Sequence, residues 1–206
     1  MFSAKDILGR AHGVVVFSHR VRVLATLLAS QIPDGTHLLD VGTGDGSIAA
    51  AIATRRPDLH IEGIDVLIRP RTSIKVKRFD GQHIPYEDES FDAVSLIDVL
   101  HHTTNPKALI SESARVSRKY ILIKDHLREG IFAETTLRLM DWVGNYGHDV
   151  ALPYNYLSAA QWHTIFDELK LIPERWNERL GLYPFPFSLL FDRRLHFIAL
   201  MKRQKN

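Results

Sequence analysis

The sequence predicts an α/β fold with a Rossmann-like, mostly parallel sheet and helices on both faces. Three observations support it: short apolar runs alternate with helical patterns, one run breaks into a glycine-rich turn before an alanine-rich helix, and several runs end in acidic residues. Such alternation is typical of βαβ units. We expect a single domain over 1–206, with a core of about 36–126 and 158–203, an N-terminal helical segment at 1–33 and a cap insertion at about 127–157.

The first predicted element is a helix over residues 14–30, because apolar residues recur there at helical spacing. Pro33 follows and ends the segment. Arg20 and Arg22 lie off the main apolar stripe. We expect both arginines to be solvated, and contact with an anionic acceptor is the alternative.

Strands and helices then alternate up to residue 126. Strands are predicted at 36–42, 59–66, 73–80, 91–100 and 120–126, and helices at 47–56 and 105–119. The continuous apolar run at 91–100 is typical of the middle of a parallel sheet. Asn105 followed by Pro106 is a strong helix-start signal.

The residues after 126 do not follow this alternation of strands and helices. Residues 127–157 contain a helical stretch and an aromatic loop, and insertions of that length tend to be functional. Ser158 and Gln161 have the spacing of a capping box, which predicts a helix start. Two last strands, within 173–180 and 194–203, are expected to pair antiparallel at one edge of the sheet.

The composition restricts the classes of partner. The 206 residues are 45% apolar, and 26 Lys and Arg against 24 Asp and Glu leave a formal charge of +2. No nucleic-acid partner is expected, because binding one requires a clustered basic face. No signal peptide or membrane span is evident, so we expect a cytoplasmic protein. The absence of cysteine excludes disulfides, thiolate metal sites and thiol nucleophiles, and we assign no metal site.

The turn LLDVGTGDGS, residues 38–47, is the strongest local signal. A phosphate-binding loop would end in Gly-Lys-Ser/Thr, and no lysine is present. A dinucleotide fingerprint would place its last glycine three residues after the second, whereas these glycines are spaced evenly by two. Asp40 and Asp45 would repel a pyrophosphate and suit a cationic ligand. A nicotinamide oxidoreductase is therefore disfavoured.

Three stretches together resemble class I S-adenosylmethionine-dependent methyltransferases: LLDVGTGDG at 38–46, EGIDV at 62–66 and RFDGQHIPYEDESFDAVSLIDVLHH at 78–102. The resemblance is to the small-molecule group typified by the ubiquinone and menaquinone biosynthesis methyltransferases. It implies S-adenosylmethionine as cofactor, S-adenosylhomocysteine as product, and methyl transfer to oxygen or carbon of a small molecule. A cofactor-binding accessory or regulatory protein without turnover is the alternative. The oligomeric state and the acceptor are left open.

The resemblance also implies roles for individual residues. The glycine turn would meet the methionine part of the cofactor, Asp65 the ribose hydroxyls and Asp80 the adenine amino group, while Asp98 would close the pocket near the sulfonium. The cofactor-binding candidates are Asp40, Gly42, Thr43, Gly44, Gly46, Asp65, Val66, Asp80, Gly81 and Asp98. Asp65 and Asp80 are solvated turn acids in the alternative interpretation, and Asp92 is interpreted as structural.

Candidates for proton transfer follow the fourth and fifth strands, where an acceptor would lie. They are His101, His102, Asp125 and His126, and histidine suits proton transfer near neutral pH. Packing or helix-start roles are the alternative for the histidine pair.

The insertion supplies the candidates for acceptor contact, Trp142, Tyr146, His148, Tyr154 and Tyr156. Aromatic rings there would wall an apolar acceptor, and a small core of the insertion's own is the equal alternative. The sequence DVLH at 98–101 replaces the Asn/Asp-Pro-Pro-aromatic element of related nitrogen methyltransferases, so that class is disfavoured. Cytosine C5 and arsenic methylation require cysteine and are excluded.

Overall fold

The computed structural model describes residues 18–145 and 153–204. Its seven strands are β1 (His37–Val41), β2 (His60–Asp65), β3 (Val76–Arg78), β4 (Phe91–Ile97), β5 (Ser117–His126), β6 (Leu171–Asn177) and β7 (His196–Arg203). They form one sheet in the order β3-β2-β1-β4-β5-β7-β6. Neighbouring strands from β3 to β5 are parallel, and β7 is antiparallel to both β5 and β6. The predicted mixed sheet is confirmed.

Helices surround this sheet. In the described ranges they are α1 (residues 18–29), α2 (Ser47–Arg55), α3 (Pro106–Val116), α4 (Ala133–Asn145), α5 (Ala159–Glu168) and α6 (Ser188–Phe191), with a 3-10 turn at Leu100–His102. The side chain of Asn105 accepts a hydrogen bond from the backbone of Ala108 at 3.1 Å, and Ser158 and Gln161 form a capping box. Both predicted helix starts are confirmed.

Two apolar cores cover the two faces of the sheet. On β1, Leu38 belongs to one core and Leu39 to the other, since successive side chains of a strand point to opposite faces. One core receives α1 and α2, and the other receives α3 and α5. Helices therefore lie on both faces, as the alternating pattern predicts.

Several predicted elements have different bounds in the structure. The helix expected over 105–119 ends at Val116, and β5 begins directly after it at Ser117, while β4 ends at Ile97 and not at residue 100. Residues 73–80 were expected to be extended, but β3 is only Val76–Arg78. The last antiparallel pair begins earlier than the proline-containing pattern indicates, at Leu171. Within the described residues, no helix has the length and apolar character needed to cross a membrane.

The strand order creates a switch point between β1 and β4. From β1 the chain continues outward to β2 and β3, and it then crosses back to β4 on the other side of β1. Open parallel sheets bind ligands at the carboxyl ends of their strands, next to such a switch point. This edge carries the glycine turn, Asp65 and Asp98.

Candidate active site

A cavity of about 610 Å³ opens at this edge of the sheet. Its size falls in the usual range for small-molecule sites. Its lining residues are Gly42, Gly44, Asp65, Val66, Leu67, Arg69, Phe79, Asp80, Gly81, Gln82, Asp98, Val99, His102, Thr103, Thr104 and Leu109. Seven of the ten cofactor-binding candidates line the cavity, and Asp40, Thr43 and Gly46 do not.

Two glycines of the turn serve different purposes. Both have positive φ, +74° for Gly42 and +62° for Gly44, a region that favours glycine. A Cβ on Gly42 would lie 2.3 Å from Cγ2 of Val99, so packing against Val99 requires this glycine. A Cβ on Gly44 would meet no protein atom within 4 Å. Gly44 therefore leaves open space in front of the backbone.

The Asp65 carboxylate connects β2 to the turn. Its Oδ2 accepts a hydrogen bond from the backbone N–H of Gly44 at 2.7 Å, and its Oδ1 accepts one from Leu67 at 2.9 Å. Asp65 is only 9% exposed, although it lines the cavity. Because each carboxylate oxygen can accept more than one hydrogen bond, Asp65 retains capacity for a ligand hydroxyl.

Asp40 lies behind the turn and supports it. Its carboxylate accepts hydrogen bonds from the hydroxyls of Ser95, at 2.6 Å, and Thr43. Burial raises the pKa of Asp40 to about 6, and the two hydroxyls oppose that shift. Gly46 is the N-cap residue of α2. These residues organise the turn and do not face the cavity.

Asp80 is exposed at the far wall of the cavity. Its Oδ1 accepts backbone hydrogen bonds from Gln82 at 2.8 Å and His83 at 2.7 Å, which lower the pKa of Asp80. Val66 and Leu67, on the same wall, are 48% and 42% exposed. The cavity therefore has an apolar surface beside a carboxylate. Asp92 lies elsewhere and accepts from the backbone of His37 and from Arg118, which agrees with a structural role.

A charged group, here called the Asp98 cluster, adjoins the cavity and consists of Arg20, Asp98, Lys124, Tyr183 and His196. The Asp98 carboxylate is paired with Arg20 and with Lys124. The Lys124 ammonium also donates to Nδ1 of His196 at 3.4 Å. The rings of Tyr183 and His196 lie 5.9 Å apart. The expectation that Arg20 is solvated was wrong, whereas Arg22 is exposed as expected.

Burial and the neighbouring charges shift the pKa values of the side chains in the Asp98 cluster. Burial raises the pKa of Asp98, but the charges of Lys124 and Arg20 outweigh burial and keep that pKa well below its usual range. Burial lowers the pKa of Lys124, and Asp98 opposes the shift. Burial and then Lys124 hold the pKa of His196 well below its usual range. His196 is therefore neutral beside two cations.

A second group, here called the His101 cluster, lies behind the 3-10 turn and consists of His101, Asp125, His126, Asp141 and Tyr156. His101 Nδ1 is 2.7 Å from Asp125 Oδ1, and its Nε2 is 3.3 Å from Asp141 Oδ1. His126 Nδ1 is 3.2 Å from His101 Nδ1. The Tyr156 hydroxyl donates to Asp141 at 2.7 Å. A second oxygen of Asp125 accepts from the backbone of Leu100, which fixes the turn.

Protonation differs between the two imidazoles of this cluster. Burial lowers the pKa of His101, but Asp125 and then Asp141 outweigh burial and raise it to about 10. Burial and the charge of His101 lower the pKa of His126 to about 4. Near neutral pH His101 is thus a cation between two carboxylates, and His126 is neutral.

The four proton-transfer candidates have different positions. Among them only His102 lines the cavity, next to Val99 and Thr103. His101, Asp125 and His126 are at most 5% exposed and belong to the buried cluster.

The aromatic candidates of the insertion also separate. Tyr156 is buried with Ala133, Leu137 and Leu195 in a small core, against which Tyr154 packs. Trp142 is 54% exposed on α4. Tyr146 and His148 lie outside the described residues. Tyr154 and Tyr156 therefore fit the alternative interpretation, in which aromatic side chains of the insertion form a small core of their own.

Sequence reasoning missed Lys124 and His196. Lys124 lies inside the apolar run YILIKDH and is fully buried. A lysine in such a run is the one signal that was available, because lysine is almost never fully buried without a partner.

Two groups of possible metal ligands overlap these clusters. They are Asp98 with His101 and His126, and His101 with His102 and Asp141. Within the described ranges a third group, His37 with His60 and Glu62, lies apart from the cavity. Asp98, His101 and Asp141 are all engaged with protein partners.

A larger cleft of about 1050 Å³ lies at the opposite end of the sheet, beside Thr36 and Tyr120. These residues lie where β1 begins and near the start of β5. Open parallel sheets bind ligands at the carboxyl ends of their strands, which lie at the opposite edge from this cleft. We therefore place the candidate active site at the smaller cavity.

Two curated relatives resemble the chain in sequence. The ubiquinone/menaquinone biosynthesis C-methyltransferase UbiE of Cupriavidus pinatubonensis is 24% identical over 80% of this chain and 74% of its own length. The 27-O-demethylrifamycin SV methyltransferase of Amycolatopsis mediterranei is 30% identical over 46% of this chain, and the match covers only 40% of that enzyme. A solved SAM-dependent methyltransferase from Aquifex aeolicus shares the fold, with a TM-score of 0.62, 18% identity, and coverage of 90% of this chain and 93% of that one.

Residues 17–178 match the family described as methyltransferase domain. The match includes the glycine turn, the cavity walls and most of both charged clusters. Since it extends over more than half of the chain, the protein belongs to the family of methyltransferase domains.

Proposed function

We propose that the protein binds S-adenosylmethionine in the 610 Å³ cavity and transfers its methyl group to oxygen or carbon of a small-molecule acceptor. The observation that carries the proposal is the wall formed by Gly44 and Asp65. An open glycine backbone there adjoins a nearly buried carboxylate that retains hydrogen-bonding capacity. The names of the two relatives support the class of acceptor, which we extend to this chain as part of the proposal.

The residues present fit this cofactor. The space in front of Gly44 would admit the methionine part, and Asp65 would accept hydrogen bonds from the ribose hydroxyls, which a carboxylate does well. The half-exposed side chains of Val66 and Leu67 offer the apolar contact that an adenine ring requires. Asp80 stands at the same wall, where its second oxygen would accept from the adenine amino group.

The chain's own contribution to the reaction would be positioning. The cofactor supplies an electrophilic methyl group, and the acceptor must be held in line with it at about 3 Å. Asp98, Val99 and His102 form the wall nearest the 3-10 turn. His101, Asp125 and His126 would act as positioning residues, because Asp125 fixes the backbone of that turn.

Calorimetric titration tests the cofactor assignment. We expect the wild-type protein to bind S-adenosylmethionine and S-adenosylhomocysteine, and we expect no binding of NAD. Gly44→Val should abolish binding, because a branched side chain would fill the open space. Gly35→Val is the matched control, since Gly35 has a similar φ of +65°, equally open surroundings and no place in the cavity. A wild-type Kd weaker than about 1 mM for both sulfur compounds would contradict the proposal.

A further inference from the structure

The amino ends of β1 and β2 carry two histidines and a glutamate that lie side by side. His37 is the register partner of His60 in the parallel pairing of the two strands, and Glu62 follows His60 by two positions. Because side chains two residues apart on a strand point to the same face of a sheet, both imidazoles and the carboxylate share one face. These three residues are here called the His37 cluster.

The possible ligand atoms of the His37 cluster have the separations that a single metal ion requires. Nε2 of His37 is 3.2 Å from Oε1 of Glu62, and Nε2 of His60 is 4.0 Å from the same oxygen. Ligand atoms at about 2.0–2.1 Å from a tetrahedral Zn²⁺ ion are roughly 3.3 Å from one another. The His60 side chain is 74% exposed, so its ring is free to turn and close the longer distance.

The second carboxylate oxygen of Glu62 keeps the first one directed at the histidines. Oε2 of Glu62 accepts hydrogen bonds from Nζ of Lys77 at 3.1 Å and from the hydroxyl of Tyr86 at 3.0 Å. The ring of His37 packs against Phe91, with 4.6 Å between their centroids. Residues around a metal site typically orient its ligands through such outer contacts. Two of the three side chains are thus already held in place.

The two groups of possible ligands near the cavity differ from the His37 cluster. Both carboxylate oxygens of Asp98 and both ring nitrogens of His101 are already paired with charged side chains outside their ligand sets or with buried carboxylates. In the His37 cluster the short contacts of Nε2 and Oε1 join the ligand atoms to one another. The side chains of His37 and Glu62 are 33% and 27% exposed, so an ion has access from solvent.

The ligand types indicate the class of metal. Imidazole nitrogens suit Zn²⁺ and neighbouring transition metals, whereas Mg²⁺ and Ca²⁺ prefer oxygen ligands. We propose that Nε2 of His37, Nε2 of His60 and Oε1 of Glu62 bind a Zn²⁺ ion, with water as the fourth ligand on the solvent side.

This ion joins β1 to β2 at the end of the strands remote from the cavity. His37 begins β1 and Val41 ends it, about 13 Å away along the strand. The inference is therefore independent of the proposed function and gives the ion a structural role. It departs from the sequence-based expectation of no metal site, because the ligands come from separate strands that only the folded sheet brings together.

Titration with Zn²⁺ tests the inference. The full chain without an affinity tag is treated with EDTA, freed of the chelator and titrated with Zn²⁺ in a calorimeter, and a parallel titration uses Mg²⁺. We expect one Zn²⁺ per chain with a Kd of about 10 μM or tighter, and no binding of Mg²⁺. Co²⁺ in place of Zn²⁺ should show the intense visible absorption of a four-coordinate ion.

Variants locate the ion. His60→Gln and Glu62→Gln should each weaken Zn²⁺ binding at least about tenfold, because each removes one of three protein ligands. His83→Gln is the matched control. The His83 side chain is 68% exposed and lies 3.0 Å from a carboxylate oxygen of Glu112, but it belongs to none of the groups of possible ligands among the described residues. Its Zn²⁺ affinity should equal that of wild type.

Thermal unfolding separates binding of the ion from the ion pairs of the cluster. In EDTA, His60→Gln should unfold at the wild-type temperature, because its side chain is exposed. Excess Zn²⁺ should raise the midpoint of wild type and of His83→Gln and leave that of His60→Gln unchanged, since a ligand of the folded state stabilises it. Affinity for S-adenosylhomocysteine should be the same with and without Zn²⁺.

The outcomes for the ion and for the cofactor are distinguishable. A Kd for Zn²⁺ weaker than about 100 μM, binding of Mg²⁺ as tight as that of Zn²⁺, or equal affinities of His60→Gln and His83→Gln would overturn the inference. Loss of Zn²⁺ binding in His102→Gln instead of His60→Gln would place the ion at the cavity and would also overturn it. Failure to bind S-adenosylhomocysteine would contradict the proposed function and leave the zinc site standing.

Discussion

The two halves of the candidate site use charge in opposite ways. In the half that we propose for the cofactor, here called the cofactor half, Asp65 and Asp80 accept hydrogen bonds from backbone N–H groups of nearby turns and face the cavity. In the other half, here called the acceptor half because we propose that the acceptor binds beside it, ionic side chains pair with one another, as Asp98 does with Lys124 and His101 does with Asp125. A carboxylate that accepts hydrogen bonds only from nearby backbone N–H groups can still accept one from a ligand. A buried ion pair is different, because removal of either side chain leaves the other charge buried without a partner.

This difference predicts which property each half controls. Substitutions in the cofactor half should change affinity for the cofactor more than stability, because they remove contacts to a ligand. Substitutions in the acceptor half should change stability first, because they leave a buried charge without its partner. Three substitutions test the comparison, in order of expected effect.

Lys124→Met should lower the free energy of unfolding by about 3 kcal/mol, because it leaves the Asp98 carboxylate with Arg20 alone. Denaturant unfolding measures the change. Lys119→Met is the matched control on the same strand, where the side chain is exposed, and it should stay within about 0.5 kcal/mol of wild type. Equal stability of the two variants would mean that the buried pair contributes nothing.

Asp65→Ala should weaken binding of S-adenosylhomocysteine by about 1–3 kcal/mol, because it removes charge-assisted hydrogen bonds to the ribose. Calorimetry measures the affinity, and circular dichroism checks the fold. Asp167→Ala removes a carboxylate from the exposed surface of α5 and should leave the affinity unchanged. Wild-type affinity in Asp65→Ala would place Asp65 outside the cofactor site.

His101 should make stability decline at alkaline pH. Its pKa is raised from 6.5 to about 10 on folding, so the folded state holds an extra proton between these values. The stabilisation is complete below pH 6.5 and is lost as the pH rises toward 10, by about 1.4 kcal/mol per pH unit for one proton. His101→Gln should flatten this part of the profile of unfolding free energy against pH.

His60→Gln is the control for that profile, because the His60 side chain is 74% exposed. It should follow the wild-type curve. A His101→Gln curve with the same alkaline slope as wild type would show that His101 does not hold a proton between the two carboxylates.

Sequence reasoning succeeded where the signals are local. The glycine turn and the helix start at Asn105 each lie in a short window whose residue types have a direct backbone meaning, and the mostly parallel sheet followed from the alternation of strand and helix patterns. The antiparallel edge was also predictable, because two strand patterns follow the helix that begins after Ser158.

The acceptor half could not be predicted in the same way. Arg20 and Asp98 are 78 positions apart in sequence, and Lys124 and His196 are 72 apart. No spacing rule connects such residues, and only the folded sheet brings α1, β4, β5 and β7 to one edge. In the sequence, Arg20 lies beside an apolar stripe like many solvated arginines, and only its pairing with Asp98 in the structure distinguishes it.

Methyl transfer itself is the most direct test of the central claim. The protein is incubated with S-adenosylmethionine that carries an isotopically labelled methyl group and with a cell extract, and the products are identified by mass spectrometry. We predict label on oxygen or carbon of a small organic molecule, and Asp65→Ala should reduce it to about a third or less at a cofactor concentration near the wild-type Kd. Binding of the cofactor without any labelled small molecule, or label found only in nucleic acid or protein, would contradict the account.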